Sequence, residues 1–206
     1  MPFLSKEGSA AIAPKATGGY LNPGKIPTGT SVRFALLQDT PLEYWEVWLQ
    51  DKNGTLNEKG KVITRPLRFQ FQPTDDDIEA EMGDQWERGL NFREDGPGPC
   101  LFNIAVAIFN HDAGSVQIFA SDKSSVNRAF DGETQNVDRE DDYDNILEPD
   151  WILGKEGTGL NTEYSVRTAP RKKGTDKKIQ DAWAKALKDG FDINRLITNE
   201  NPFTTE

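Results

Sequence analysis

Runs of apolar and aromatic residues, several alternating with polar ones, predict strands at Ser31–Leu37, Glu43–Gln50, Val62–Phe71, Cys100–Asn110, Ser115–Ala120, Trp151–Leu153 and Thr162–Thr168. Side chains on a strand alternate between faces, so Val32, Phe34 and Leu36 share one side of the first run. In the second, Trp45, Val47 and Leu49 share the apolar side and are expected in the core, which leaves Tyr44, Glu46 and Trp48 facing outward. The same rule puts Leu67, Phe69 and Phe71 inward and Pro66, Arg68 and Gln70 outward. Arg65 falls in phase with the inward set, and a bulge or edge position expected at Pro66 would re-aim it. Phe102, Ile104, Val106 and Ile108 alternate with Asn103, Ala105, Ala107 and Phe109, which makes Phe109 the expected outward ring of the central strand.

Three helices interrupt the strands. Thr74 caps the first, Asp75, Asp76 and Asp77 favour its positive end, and Gly83 stops it. The second is expected over Ser121–Phe130, with Ser121 or Asp122 as cap and Val126, Ala129 and Phe130 on one side. The third runs from about Thr175 to Lys188 behind the stripe Ile179, Trp183, Ala186 and Leu187, with Gly190 as its stop. Asn53-Gly54 marks a turn, Asp84–Pro99 a connecting loop, Gly132–Asn145 an acidic loop and Gly154–Gly159 a flexible hairpin tip. The fold class is therefore mainly β with a few helices, read as an OB-like, partly open five-stranded barrel; a sandwich or another small barrel stays open as an alternative. The expected division is a flexible N-terminal arm over 1–27, a core domain over 28–173, and a C-terminal helix and tail over 174–206.

The 206 residues are 35% hydrophobic, which suits one modest core with polar arms. No apolar stretch reaches the roughly 18 residues of a membrane span, and Met1–Thr17 lacks a secretory pattern, so no membrane association is expected. The formal net charge of −10 counts against binding phosphate backbones through bulk charge. Its distribution changes that picture. Acid gathers in Asp75–Glu81 and Asp131–Asp150, whereas Arg167, Arg171, Lys172, Lys173, Lys177 and Lys178 stand against Asp176 alone in the stretch Arg167–Lys178.

Candidate chemistry narrows by elimination. One cysteine and one histidine cannot build a structural zinc site, and the cysteine count fits a reducing interior. Cys100 reads as a small hydrophobe opening a strand, and His111 as an exposed turn residue, too isolated for a hydrolase triad. Neither a phosphate-cradling glycine loop ahead of a helix nor a calcium loop is present, and no cofactor is expected. A magnesium nuclease drawn from Asp150, Glu163 and Lys155 is a weak alternative. Binding remains. Tyr44, Trp48 and Phe109 offer rings on which unpaired bases can stack, and the neighbouring cations offer partners for phosphate.

Val32–Leu37, Tyr44–Trp48, Arg65–Phe71, Phe102–Phe109 with Gly114–Ala120, and Gly157–Thr168, in this order, resemble phage single-stranded DNA-binding proteins related to the helix-destabilising protein of T4-like phages. The similarity covers roughly residues 27–173, with a looser match over Phe191–Phe203. The resemblance implies an OB fold, sequence-tolerant binding of single-stranded DNA, and a non-enzymatic role in phage DNA replication, recombination or repair in the host cytoplasm. It also implies phage replication proteins as partners through the C-terminal tail; here Thr198–Glu206 carries only Glu200 and Glu206 as acids. The zinc module of T4-type members is not carried over, since its ligands are missing. On this reading Tyr44, Trp48 and Phe109 stack bases, and Arg33, Arg65, Arg68, Arg167, Arg171 and Lys172 pair with phosphates. The rival from another class is a structural or adaptor protein of a phage particle.

Overall fold

The computed structural model describes residues 19–90, 96–136, 138 and 142–204. Most of the expected N-terminal arm, part of the acidic loop and the last two residues lie outside them. Among the described residues nine strands occur in the order β1 (Tyr20–Leu21), β2 (Thr30–Leu36), β3 (Leu42–Asp51), β4 (Thr64–Phe69), β5 (Trp86–Arg88), β6 (Leu101–Asn110), β7 (Ser115–Ser121), β8 (Asp150–Glu156) and β9 (Glu163–Ala169). Three α-helices accompany them: α1 (Asp75–Met82), α2 (Ser124–Thr134) and α3 (Asp176–Lys188). The protein is mainly β. It divides into two compact units, one built from the described residues up to Pro41 with Ala105–Asp189, the other from Leu42–Ile104 with Gly190–Glu206. The two units cut the chain at other points than the expected arm, domain and tail: α3 falls in the first unit and the C-terminal segment in the second.

In the first unit the strands follow the path β1-β7-β6-β2-β8-β9. β1 runs parallel to β7, while β2 pairs antiparallel with β6 and β8, and β8 with β9. The sheet is thus mixed and, with β1 and β9 at the ends of the path, open. Both faces are covered. On one, Phe34 stacks 6.0 Å from Phe119, and Phe130 of α2 lies 5.0 Å from Phe119 and 5.6 Å from Trp151. On the other, Ala35 and Phe109 pack against Ile179 of α3. Every residue from Ala105 to Asn110 is consequently buried. Phe109 is 1% exposed and not the outward ring that strand alternation suggests, because α3 supplies a second layer over that face. Burying it contributes about 2–3 kcal/mol that exposure would forgo. α2 starts later than expected, at Ser124, with Lys123 at the cap and no side-chain cap bond.

In the second unit β3 is the centre. It pairs antiparallel with β4 in the register Trp45↔Phe69, Val47↔Leu67 and Leu49↔Arg65, and with β5 through Leu49↔Arg88. Its inward side chains Val47 and Leu49 form a core with Phe69 and Ile78, against which Trp45, Leu67, Met82, Trp86 and Cys100 pack. Burial raises the Cys100 thiol pKa above its ordinary value. α1 is held by a capping box: the Thr74 hydroxyl accepts from the Asp77 N–H, and the Asp77 carboxylate accepts from the Thr74 N–H at 2.8 Å. The register passes through Trp48↔Pro66 without a bulge, and β4 pairs only with β3 among the described residues. Pro66 is accommodated by the edge position instead. β1 and β5 have two and three residues, too short to give a period, and were not expected from the pattern.

Candidate nucleic-acid interface

The first unit is organised around one acid. Asp150 opens β8, next to the apolar run Trp151-Ile152-Leu153, and its side chain is 0% exposed. A buried carboxylate needs partners, and they come from three separate segments. Arg33 of β2 donates its Nε to Oδ2 at 2.7 Å, and the backbone N–H of Lys172 donates to the same oxygen at 3.0 Å. Arg171 Nη1 stands 3.4 Å from Oδ1 and His111 Nε2 2.9 Å from it. Neither of these two approaches has hydrogen-bond alignment; the Arg171 guanidinium stands at Oδ1 as a nearby charge and the imidazole as a close polar contact. Burial alone would raise the Asp150 pKa; His111, Arg33 and the Lys172 N–H oppose it, and the carboxyl sits below its ordinary value.

His111 is therefore not an exposed turn residue. Its side chain is 3% exposed, its ring lies edge-on to Phe109 at 5.5 Å, and its N–H donates to the Arg33 carbonyl at 3.1 Å. This last bond continues the β2–β6 pairing beyond Asn110 and turns the imidazole inward. Arg33 and Arg171 are likewise internal ties rather than free cations. Arg33 also donates to the Pro170 carbonyl, and Arg171 to the carbonyls of Glu148, at 3.0 Å, and Leu147. The nuclease alternative loses its central carboxylate to this cluster, and Lys155 donates to the Gly24 carbonyl.

What the cluster leaves outside is a basic ridge. Arg167 on β9, then Lys172 and Lys173, then Lys177 and Lys178 on the first turn of α3 are all exposed. Asp176 is the one acid among them, 3.9 Å from Arg171. Lys178 Nζ stands 5.6 Å from the centre of the Phe109 ring. Lysines at the positive end of a helix are unfavourable for the helix itself, so the ridge gains nothing for α3 by carrying them there.

Among the described residues the second unit exposes three rings, Trp48, Phe71 and Phe102. Phe71, expected inward, lies past the end of β4 and stands edge-on to Phe69 at 5.8 Å. Trp48 projects from the outer face of β3, 51% exposed. Its cross-strand neighbours are Pro66 and Gly89, whose N–H donates to the Trp48 carbonyl at 2.8 Å. A proline and a glycine have too little side chain to cover an indole, so its face stays open to a flat ligand. Tyr44, on the same side, is 3% exposed, with the Arg68 guanidinium 5.6 Å from its ring centre. Arg68 itself is committed: Nε bonds Glu46 at 2.7 Å, and Nη1 donates to the Leu196 carbonyl at 2.6 Å and to Asn199 Oδ1 at 2.9 Å. Arg65 stays on the core side, 4.7 Å over the Trp86 ring, with Nη2 donating to the Met82 carbonyl.

Of the residues expected to contact nucleic acid, the structure thus leaves Trp48, Arg167 and Lys172 exposed. Tyr44 and Phe109 are buried, and Arg33, Arg65, Arg68 and Arg171 are tied to the protein's own acceptors. Lys173, Lys177 and Lys178 were visible in the sequence as part of the basic stretch and join the exposed set. Asp150 was missed as an organising residue. The legible signal was an acid abutting an apolar run; its partner Arg33 lies 117 residues away, a separation no local pattern spans. No protein-family model, curated protein or solved structure matches the chain.

Proposed function

We propose that the protein binds single-stranded DNA without sequence preference, as a non-enzymatic factor in phage DNA replication, recombination or repair in the host cytoplasm. The observation that carries this reading is the exposed ridge of Arg167, Lys172, Lys173, Lys177 and Lys178 on a chain of net charge −10. A run of exposed cations with Asp176 as its one interspersed acid offers phosphate a local surface even on a negative molecule. Within the second unit, considered by itself, Trp48 is an exposed ring of the kind on which bases stack without sequence preference. An OB-like description and kinship with T4-type helix-destabilising proteins belong to the same proposal and rest on the sequence resemblance; the sheet itself is open, mixed and larger than the expected five-stranded barrel. Recruitment of phage replication proteins through the C-terminal segment belongs to it as well.

Each phosphate neutralised on a single strand adds about −0.7 to the slope of log K against log salt. Three to five engaged cations therefore give a slope of roughly −2 to −3.5. A polarisation titration with a labelled dT oligomer and with a duplex of equal length, at two ionic strengths, tests this. Preference for the single strand with a slope in that range supports the reading, and absence of binding to the oligomer in dilute buffer refutes it. Trp48→Ala is expected to weaken the oligomer complex about fivefold or more, since stacking on one ring is worth about 1–3 kcal/mol.

A further inference from the structure

We infer that Asp150 is the positioning residue of the basic ridge: a fully buried acid that makes a phosphate-binding surface by gathering the arginines behind it. The inference rests on the single-strand reading above and deepens it. Asp150 touches no solvent and so touches no DNA. Yet the ridge leaves the sheet through its contacts. Oδ2 accepts the N–H of Lys172 itself, so the main chain at the first ridge lysine is fixed to the start of β8. Arg171, the preceding residue, is drawn inward beside Oδ1 and clamps the carbonyls of Leu147 and Glu148. Arg33 closes the other side by bridging Oδ2 and the Pro170 carbonyl. Three consecutive residues, Pro170, Arg171 and Lys172, are thereby held around one carboxylate. Of the side chains on this segment Arg171 turns in, to Asp150 and the two carbonyls, and Lys172 and Lys173 stay out.

This arrangement makes a counterintuitive demand. Counting charges alone, an acid close to a phosphate-binding surface repels DNA, and its removal tightens the complex. If Asp150 positions the ridge, its removal weakens the complex, because the cations no longer meet successive phosphates together. The two accounts differ in sign.

The test uses the full chain and a dT oligomer, at a temperature where circular dichroism shows each variant folded. Asp150→Asn keeps the size and removes the charge. It is expected to bind about tenfold more weakly, with a salt slope shallower by about one phosphate equivalent. Arg171→Lys conserves charge and forfeits the forked contacts; it is expected to bind about threefold or more weakly, whereas charge counting expects no change. The lysine variant decides the matter alone if Asp150→Asn does not fold. A merely structural role lowers the melting temperature of both variants and leaves the affinity of the folded protein to charge counting. Asp150→Asn binding as tightly as wild type or more so, or Arg171→Lys binding like wild type, overturns the inference while the single-strand reading stands. A wild type that ignores the oligomer in dilute buffer overturns both.

Discussion

Asp150 in one unit and Arg68 in the other hold junctions of the same kind with the signs reversed. In the first, a single carboxylate collects Arg33, Arg171, His111 and a backbone N–H. In the second, a single guanidinium collects the Glu46 carboxylate, a carbonyl, an amide oxygen and the face of Tyr44. The acid is 0% exposed and the arginine 14%. The difference follows from donor chemistry. A carboxylate offers acceptor sites only and must import its donors from other segments, so it serves as a meeting point for charged chains. A guanidinium carries five donors in a fixed fork and can satisfy itself on main-chain carbonyls, so it serves as a clamp on backbone. The first junction therefore fixes where cations stand, and the second fixes where a length of chain, Leu196 to Asn199, lies.

Cutting the acid junction has the largest expected effect. Asp150→Ala leaves two arginines without their buried counter-charge and is expected to cost about 3–5 kcal/mol, read as a lower urea midpoint. Acid does the same reversibly. The folded-state pKa of Asp150 lies below its ordinary value of 3.8. Its stabilisation is thus complete above that value and is lost as pH falls through the lower, folded-state one. Denaturation midpoints followed from pH 6 downward should hold and then fall below about pH 4, and Asp150→Asn should flatten that fall. The arginine junction comes next. Arg68→Ala removes hydrogen bonds to a charged donor, worth about 1.5–3 kcal/mol. The loss should appear chiefly as faster amide exchange over residues 191–203, and uniform change across both units would contradict a local clamp. Trp48, on the same side of β3 as Arg68, makes the control. At 51% exposure its replacement by alanine should move stability by less than about 1 kcal/mol.

The two units also differ in how far the sequence revealed them. Alternation read Val47 and Leu49 correctly, because β3 buries one side against a small core and leaves Trp48 on the other. The Thr74 cap and the Gly83 stop of α1 were equally legible, since both depend on residues within one turn. Alternation failed at Phe109, because α3 closes over a face that the strand pattern alone leaves open. It could not tell a free arginine from a committed one either. Arg68 lies outward as its phase demands, yet its partners Leu196 and Asn199 come 128 and 131 residues later in the chain. The basic stretch was legible as composition; which of its members points inward was decided by Asp150.

Each unit is assembled from two separate lengths of chain. The first needs residues up to Pro41 and then Ala105–Asp189, and the second needs Leu42–Ile104 and then Gly190–Glu206. On a ribosome the segments emerge in sequence, so β2 must wait, with its apolar Val32 and Phe34 uncovered, until β8 has been translated. The Arg68 clamp must wait longer still, for Leu196. Neither half of a growing polypeptide can complete a unit by itself, and premature termination after Ile104 would release two incomplete cores rather than one finished one.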